Sequence, residues 1–581
     1  MSNAEPAGDA PRHRRARPER RARPKRRLRS NRWHGRGRVV VPSLAAGVGL
    51  ALSIPPWGFW ILAFPAAGLL WWRLGGLSVR ARLLAGWAMG LGLFVPGLWW
   101  ATTFNTYGGV VLMAAESLAP ALACAVVLRG ARGRTVALAG AMVLGEALRW
   151  TWPFGGLPMG GIALGQASGP LAGAARLGGP LLLVGLIWLG GAGLAILATT
   201  VASRVTHART TRTERTTRTE RTGRRVRPQV RVARPQVLAR AVLGVALLAV
   251  VAGVATWGAF APDGGPATGI IRVVSVQGGG VRGLRKSEVA PATVTAAQVA
   301  ATNDIVDYDG GRAPSLVVWP EDVVSLDTLI DGTPIEKQLG QLAIGLHTTL
   351  LVGVTETVST QSFRNEIVAF SPAGKLVARF EKVHRVPFGE YIPYRGFFKH
   401  LANLSSVPLD AIPGHGDGVL HTPAGPLGTM VSYEVFYPSR GRIATRAGAQ
   451  LLVDPTNTSS YVTSQVPTQE IAAAQLQAIS EGRDLVQAAP TGFSAVLNNQ
   501  GQVLARTDLG VRALIIRDVA LRTGRTIYER VGDLPVLVLS GLLVAVGWLA
   551  ALFTDPHPER TRAARRERRA RVERRGLHAR H

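Results

Sequence analysis

Residues 178–201 read GGPLLLVGLIWLGGAGLAILATTV, a run of 24 residues with no charged side chain. A helix needs about 20 predominantly apolar residues to cross the hydrocarbon core of a bilayer, so this run predicts a membrane span. Seven further apolar segments predict a polytopic α-helical membrane domain of about eight spans. The other predicted spans are residues 39–56, 58–76, 82–100, 108–129, 134–152, 237–258 and 534–553.

The basic residues of this 581-residue chain lie apart from its apolar segments. Residues 1–38, 204–240 and 554–581 carry net charges of +11, +10 and +6, most of the total of +31. The second segment contains the unit TTRTER twice, at 210–221. Such composition cannot form a core, so we expect basic disordered cytosolic tails at both ends and a disordered loop at 204–236. Because the charge lies in low-complexity segments, nucleic acid is not an expected partner.

The positive charges of the loops orient the spans. With the amino terminus in the cytosol, eight spans place the Arg-rich loops and both termini inside, and loops without Lys or Arg, such as 102–108, outside. Seven spans within 39–258 precede residues 259–530, which hold 23 basic and 24 acidic residues and are therefore expected outside. The last predicted span, 534–553, then returns the chain to the cytosol, where the basic tail 554–581 lies. The segment before Val39 has no Ala-x-Ala cleavage site, so we expect no signal peptide.

Three reactive side chains fall within predicted spans. Cys124 is the single cysteine, so an internal disulfide and Cys-x-x-Cys metal clusters are excluded. A thiol in hydrocarbon ionises poorly, and we expect Cys124 to serve packing alone. Glu116 and Glu146 are candidates for function because carboxylates are costly within a membrane, although a position near the interface would make them structural.

Residues 259–530 have the pattern of an α/β domain. Short runs rich in Val, Ile and Leu alternate with Pro- and Gly-containing turns, and helices are expected at 293–305 and 468–479. Continuously apolar strands are typical of a sheet that is covered on both faces. The predicted strands are IIRVVSV (270–276), SLVVW (315–319), TTLLVGV (348–354), EIVAF (366–370), LVARF (376–380), GTMVSYEVF (428–436), QLLVD (450–454), LVQAA (485–489), SAVL (494–497) and ALIIR (513–517).

Three polar residues interrupt these strands or follow them. Glu321 follows SLVVWP, Lys382 follows LVARFE, and Ser432 lies inside GTMVSYEVF. Together they can form one site in which the carboxylate is the base, the hydroxyl is the nucleophile and the ammonium stabilises an oxyanion. Charged residues at strand ends are also common in structural roles, so spacing alone leaves both interpretations open.

Several motifs resemble those of the carbon–nitrogen hydrolase (nitrilase) superfamily. They are WPE at 319–321, Lys382 followed by VPFGEYIP at 386–393, and SYE at 432–434. With the membrane spans, the chain resembles the apolipoprotein N-acyltransferases over residues 39–553, including TNTSSY at 456–461 and EGRDLVQAAPTGFSAV at 481–496. The resemblance implies an αββα nitrilase-like domain on the outer face of a bacterial cell membrane.

The resemblance also implies a two-step reaction without a cofactor or a metal. A phospholipid gives its sn-1 acyl chain to the enzyme, which passes it to the amino group of the diacylglyceryl-cysteine of a lipoprotein. Glu321 would be the general base and Lys382 would help to hold the oxyanion, with Ser432 in the position of the nucleophile. Glu390, Glu434 and the adjacent Tyr433 match supporting positions.

The chain departs from the family pattern at the nucleophile. The family has a cysteine in a CYE motif where this chain has Ser432, and a hydroxyl is much harder to ionise than a thiol. Gln477 and Ser480 replace Arg and Glu, and Ser460 replaces Trp, at positions that the resemblance puts near the acceptor and away from the nucleophile. The sequence thus leaves three alternatives open. The chain is a serine-dependent acyltransferase, an enzyme of a different acyl transfer or amidase reaction, or a catalytically silent homologue that acts as an accessory or lipoprotein-binding protein. The retained acidic residues and Lys382 favour a working site, because buried charges without a role are destabilising.

Overall fold

Mostly apolar helices pack together in the amino-terminal part of the protein, whose computed structural model describes residues 27–128, 131–222, 234–280, 289–305, 313–400, 404–405, 407–461 and 463–554. Every span predicted before residue 259 overlaps at least one of these helices. The helices are α1 (Arg27–Ala51), α2 (Ala63–Arg73), α3 (Val79–Gly97), α4 (Ala101–Phe104), α5 (Thr106–Glu116), α6 (Leu118–Val126), α7 (Ala131–Arg149), α8 (Ala175–Thr222) and α9 (Arg234–Phe260).

Within the described ranges, four helical segments are long and apolar enough to cross a bilayer. They are Thr106–Val126, Ala172–Ser203, Val237–Phe260 and Leu534–Ala551. The prediction of apolar membrane helices is therefore confirmed, whereas the count of eight spans stays a prediction. Cys124 of α6 is fully buried in the apolar core that these helices share.

Small residues let the helices approach closely, as is usual where helices pack in lipid. Gly47 of α1 and Gly92 of α3 face each other. A Cβ at Gly47 would lie 2.0 Å from the carbonyl oxygen of Met89, and one at Gly92 would lie 2.3 Å from that of Leu44. A larger side chain at either glycine would therefore push the two helices apart.

Three helices run from the apolar sequence into the basic segments, while the predicted disorder of the basic tails and loop stays a prediction. Helix α8 continues through the Thr-Arg-Glu repeat to Thr222, α9 begins at Arg234, and α1 begins at Arg27. Extending an existing helix costs far less than starting one, and Arg and Glu are good helix formers. The apolar helices thus extend into the polar sequence. Residues 1–26, 223–233 and 555–581 lie outside the described residues.

Two β-sheets form the second part of the protein. The strands are β1 (Gly269–Gln277), β2 (Leu316–Val318), β3 (Val324–Leu326), β4 (Thr349–Ser359), β5 (Ser362–Phe370), β6 (Leu376–Glu381), β7 (Asp410–Ala411), β8 (Val419–Thr422), β9 (Gly425–Thr429), β10 (Leu451–Pro455), β11 (Leu485–Ala488), β12 (Ala495–Leu497), β13 (Val503–Arg506) and β14 (Ala513–Leu521). The larger sheet has the order β14-β1-β2-β4-β5-β6, with β3 beside β4 and β7 beside β5. The smaller sheet has the order β13-β12-β11-β10-β9-β8.

Helices cover both outer faces of this sandwich. The helices after residue 261 are α10 (Pro291–Asn303), α11 (Pro334–Gly345), α12 (Arg395–Phe398), α13 (Pro438–Arg446), α14 (Gln465–Glu481), α15 (Ile527–Val531) and the last apolar helix, α16 (Leu534–Thr554), which packs on α7 and not on the sheets. Apolar residues such as Val273 and Val453 pack between the sheets, and α10 and α11 cover the larger sheet. Helix α14 covers the smaller sheet and shares one core with the membrane helices. The predicted αββα sandwich is therefore confirmed.

Glutamine side chains of α14 bind backbone groups of the membrane helices. Gln469 accepts a hydrogen bond from the N–H of Gly160 and donates to the carbonyl of Gly97, both at 3.0 Å. Gln465 donates to the carbonyl of Pro96 at 2.5 Å. These bonds satisfy backbone groups where α3 ends and fix the sandwich directly on the helices.

The prediction of a strand through GTMVSYEVF is wrong at its second half. Strand β9 ends at Thr429, and residues 432–436 form a 3₁₀ turn that begins with Ser432. Ser432 has φ of +55°, which a strand cannot accommodate. Apolar content alone does not reveal this change of direction.

Candidate active site

Lys382 is the centre of a buried ion cluster. Its Nζ donates to Glu321 Oε1 at 2.8 Å and to Glu390 Oε1 at 2.6 Å. The side chains of Lys382, Glu321 and Glu390 are only 2%, 6% and 17% exposed. Because little water reaches them, each charge relies on its partners for stabilisation.

Strand direction explains why these residues meet. Strand β4 is parallel to β2, and β5 is antiparallel to both β4 and β6, so β2 and β6 run in the same direction. Glu321 and Lys382 each follow the carboxyl end of one of these strands and therefore reach the same edge of the sheet. Asn365 of β5 joins them, since its Nδ2 donates to Glu321 at 2.8 Å and to Glu390 at 3.4 Å.

Ser432 lies at the corresponding edge of the smaller sheet. It begins the turn after β9, and its N–H donates to Asp454 Oδ1 of the parallel neighbour β10 at 3.0 Å. A positive φ at a residue with a side chain costs about 1–3 kcal/mol and persists only where the surroundings enforce it. The buried bond to Asp454 is one such support.

Glu434 connects the two sheet edges. Its Oε1 accepts the N–H groups of Val383 and His384, the two residues after Lys382, at 2.9 Å each. Its Oε2 accepts the N–H of Val431, the residue before Ser432, also at 2.9 Å. Burial alone would raise the pKa of Glu434, but these donors, His384 and the nearby Arg440 outweigh it and lower the pKa. Glu434 is therefore a charged clamp between the chain at Lys382 and the turn at Ser432.

The balance of charge keeps Lys382 protonated. Burial opposes its charge, but Glu321 and Glu390 more than compensate, so the pKa of Lys382 lies above its ordinary value. Burial raises the pKa of Glu390 in spite of the ammonium beside it. Lys382 is thus an ammonium at neutral pH.

Two more acids lie near this cluster. Burial and the charge of Glu470 raise the pKa of Asp454. Burial raises the pKa of Glu470 to about 8, with Glu321 adding to the effect, and Thr456 donates to the Glu470 carboxyl at 2.5 Å. One ammonium cannot balance four buried carboxylates, so part of this acidic group holds its protons at neutral pH.

Most of the site residues predicted from the sequence lie together in the structure. Glu321, Lys382 and Glu390 are in direct contact, and Glu434 connects Lys382 to the turn that carries Ser432. That the Ser432 hydroxyl lies within hydrogen-bond reach of Glu321 stays a prediction. The hydroxyl of Tyr433 donates to the carbonyl of Gly156 in the loop before α8.

Sequence reasoning missed Asn365, Asp454 and Glu470. Asp454 ends a buried strand as Glu321 does, so the same signal was available. Glu470 is the single acid among the apolar and amide residues of 465–480, which is also a visible signal. Asn365 has no sequence signal, because its role depends on the pairing of β5 with β6.

Gln477, one of the three departures from the family pattern, contacts the segment that follows Ser432. Its Nε2 donates to the carbonyls of Val435 and Tyr437, both at 2.9 Å, and so supports the turn that begins with Ser432. Gln477 and Ser480 both line a small cleft between α14 and the membrane helices. Ser460 is half-buried in the loop after β10.

These groups suit a base-assisted acyl transfer. A carboxylate, a permanently charged ammonium and a hydroxyl on a strained turn occupy adjoining sheet edges, and the membrane helices adjoin the same region. A charged donor in a water-poor site stabilises a developing oxyanion more strongly than it would in water.

Comparisons with known proteins match both parts of the chain. The family "Apolipoprotein N-acyltransferase N-terminal domain" matches residues 46–193, and "Carbon-nitrogen hydrolase" matches residues 293–528. Three similar proteins bear the name apolipoprotein N-acyltransferase. The protein from Mycolicibacterium smegmatis is 30% identical, and the match covers 86% of this chain and 84% of the relative. The protein from Pseudomonas putida is 27% identical, with 87% of this chain and 95% of the relative covered. The protein from Shewanella oneidensis is 23% identical, with 88% of this chain and 95% of the relative covered.

Replacing Glu434 by Gln should destabilise the protein by about 1–3 kcal/mol, because an amide cannot accept all three backbone N–H groups and at least one is left buried and unpaired. The measurement is thermal or denaturant unfolding of the full chain in detergent. Glu336→Gln is the matched control, since Glu336 accepts one exposed backbone N–H, from Gly332. If the two substitutions reduce the stability equally, Glu434 does not hold the Lys382 segment and the Ser432 turn together.

Replacing Glu470 by Gln should flatten the pH dependence of stability. The folded protein keeps the Glu470 proton up to about pH 8, whereas an unfolded Glu releases it near pH 4.3. Unfolding between these values releases a proton, so this residue lowers stability as pH rises. Gln has no proton to release, and the unfolding midpoint should therefore fall less between about pH 5 and 8 than in the parent. If the unfolding midpoint falls equally with pH in the parent and the Glu470→Gln variant, the pKa of Glu470 is not raised in the folded protein.

Proposed function

The chain belongs to the apolipoprotein N-acyltransferase family, and from this premise we propose that it moves an acyl chain from a phospholipid, through an ester on Ser432, to the amino-terminal diacylglyceryl-cysteine of lipoproteins. The observation that carries the proposal is the Glu434 clamp, which connects the Lys382–Glu321 pair to the turn of Ser432. The same sandwich is fixed on apolar helices, which suits two lipid-anchored substrates.

In the first step, Glu321 takes the proton of the Ser432 hydroxyl as the oxygen attacks the sn-1 ester carbonyl of the phospholipid. Lys382 stabilises the negative oxygen of the tetrahedral intermediate. The carbonyl carbon then releases the glyceryl oxygen, which receives the proton from Glu321. The products are a lysophospholipid and an acyl ester on Ser432.

In the second step, the lipoprotein amine attacks the ester carbonyl. Glu321 accepts a proton from the attacking nitrogen and returns it to the Ser432 oxygen as the ester bond breaks. An amide replaces the ester, and the serine is restored. Lys382 serves both steps unchanged, because Glu321 and Glu390 raise its pKa.

Acyl transfer is favoured over a silent accessory protein. The similar proteins over most of the chain are named as acyltransferases. A silent site would gain nothing from holding Lys382 and two acids out of water, since such a group is costly to bury. The departure from the family at Ser432 changes the nucleophile and leaves its base and its ammonium in place.

The orientation in the membrane follows from the charge of the loops. Residues 259–530 would face the outside of a bacterial cell membrane, with both termini and the Thr-Arg-Glu repeat in the cytosol. Lipoproteins are held at that outer face by their diacylglyceryl group, so the site and both lipid substrates would share one leaflet.

Ser432→Ala should abolish N-acylation, and Ser432→Cys should raise it, because a thiol ionises more readily beside a base and forms a thioester that an amine cleaves faster. The measurement is mass spectrometry of a diacylglyceryl lipoprotein produced in cells that lack any other such enzyme. Ser405→Ala, in the same domain, is the matched control and should act like the parent.

The pattern of results separates the alternatives. An inactive parent with an active Ser432→Cys variant would show that only the nucleophile is inadequate. If neither acylates lipoprotein while both fold and insert, the enzyme proposal fails and the accessory role is supported.

Reporter domains inserted near residues 215 and 400 should report opposite sides of the membrane. We expect a cytosolic signal at 215 and an external signal at 400, measured with paired reporters that are each active on one side only. The same side for both positions would contradict the eight-span topology.

A further inference from the structure

Arg149 joins two membrane helices and a loop through one guanidinium. Its Nε donates to Glu116 at 2.5 Å, and its Nη1 donates to Glu146 at 2.9 Å. Its Nη2 donates to the carbonyls of Leu157 and Met159, at 2.9 Å each. The Arg149 side chain is only 3% exposed. Glu116 and Glu146, functional candidates from their position in predicted spans, are thus the partners that keep this guanidinium in place.

The loop that Arg149 holds, residues 150–161, accepts hydrogen bonds from three tyrosines of the sandwich. One of them, Tyr433, is the residue after Ser432. The bonds run from Tyr433 Oη to Gly156 O at 2.9 Å, from Tyr437 Oη to Gly155 O and Gly156 O at 3.1 Å each, and from Tyr391 Oη to Phe154 O at 3.0 Å. The chain of contacts therefore runs without a gap from Glu116 to the turn of the nucleophile.

The shape of this loop depends on its glycines. Gly155 and Gly156 have φ of +94° and +90°, and a Cβ at Gly156 would lie 2.2 Å from the carbonyl carbon of Trp150. Such a loop has little helical or sheet bonding of its own, so the Nη2 bonds of Arg149 are a main support for its carbonyls.

We propose that Arg149 is a positioning residue for acyl transfer: it fixes the 150–161 loop, the loop fixes Tyr433, and Tyr433 fixes Ser432 in its productive position. This inference rests on the proposed function, because the position of Ser432 matters only if Ser432 reacts. Glu434 and Asp454 hold the turn from the sandwich side, and the loop holds it from the membrane side. A strained residue such as Ser432 requires support from both.

An ion pair that served helix packing alone would need only the Nε and Nη1 bonds. The two Nη2 bonds go instead to the loop, and a lysine cannot reproduce them because it has one compact donor group without the planar fork. Arg149→Lys therefore keeps the charge between Glu116 and Glu146 and removes the link to the loop. This separates positioning from the electrostatics of folding.

The first readout is hydrogen exchange of the full chain in nanodiscs, which needs no catalytic activity. Arg149→Lys and Tyr433→Phe should each speed amide exchange in residues 430–437 at least threefold, without changing the strands of the larger sheet. The double variant should exchange no faster than the faster single variant, because both substitutions break the same path. The matched control is Arg176→Lys, since Arg176 is an equally buried arginine that binds the carbonyls of Gly258 and Ala259 and not the loop.

The second readout is the rate of N-acylation at varied phospholipid concentration. Displacing a nucleophile by about an ångström can cost up to about 100-fold, so Arg149→Lys and Tyr433→Phe should lower kcat by about 10- to 100-fold with KM changed less than about twofold. The double variant should lose no more than the larger single loss. Arg176→Lys should match the parent in both constants.

Unchanged exchange in residues 430–437 for both Arg149→Lys and Tyr433→Phe would overturn the proposal, as would fully additive effects in the double variant. If Arg149→Lys does not fold, Tyr433→Phe and Tyr437→Phe carry the same test from the other end of the path. A parent that does not acylate lipoproteins defeats the proposed function alone, and the exchange experiment still decides whether Arg149 holds the Ser432 turn.

Discussion

The buried carboxylate of Glu434 is the interaction on which the site depends. It holds the N–H groups of residues 383 and 384 with one oxygen and that of residue 431 with the other. Lys382 follows a strand of the larger sheet and Ser432 a strand of the smaller one, and the described strands of one sheet form no ladder with those of the other. A carboxylate with its charge fully satisfied by fixed donors is stiff, because any relative movement of the sheets would leave a charge or an N–H group unpaired. In the proposed reaction, the distance between the Lys382 ammonium and Ser432 is thereby set by a group that takes no part in the chemistry.

A hydroxyl needs a base close by and a stabilised oxyanion more than a thiol does. Lys382 supplies a positive charge that Glu321 and Glu390 stabilise, and burial raises the pKa values of Asp454 and Glu470, which disfavours further negative charge near it. The site therefore keeps its positive charge and avoids a large negative one, which suits an attacking oxygen that becomes negative.

The sequence predicted the helices and strands better than the turns and loops that connect them. Apolar runs such as 178–201 and strand ends such as Glu321 follow from local composition, and both sides of the Lys382–Glu321 pair could be named in advance. The turn at Ser432 could not, because its positive φ is enforced by Asp454 and Glu434 through contacts that no local pattern encodes. Asn365 and the loop at 150–161 were missed for the same reason, since each gains its role from a partner far away in the chain. Composition indicates whether a segment can form a core, but it does not predict whether an adjacent helix will continue into that segment, as α1, α8 and α9 do.

The most direct test of the account is to identify the residue that carries the acyl chain. The full-length protein would be incubated with phosphatidylethanolamine whose sn-1 chain is isotope-labelled, without lipoprotein, then digested and examined by mass spectrometry. The account predicts one labelled acyl group on Ser432, which disappears when lipoprotein is added as its amino terminus becomes labelled. Labelled acyl on a different residue, or labelled lipoprotein formed by a Ser432→Ala variant, would contradict it.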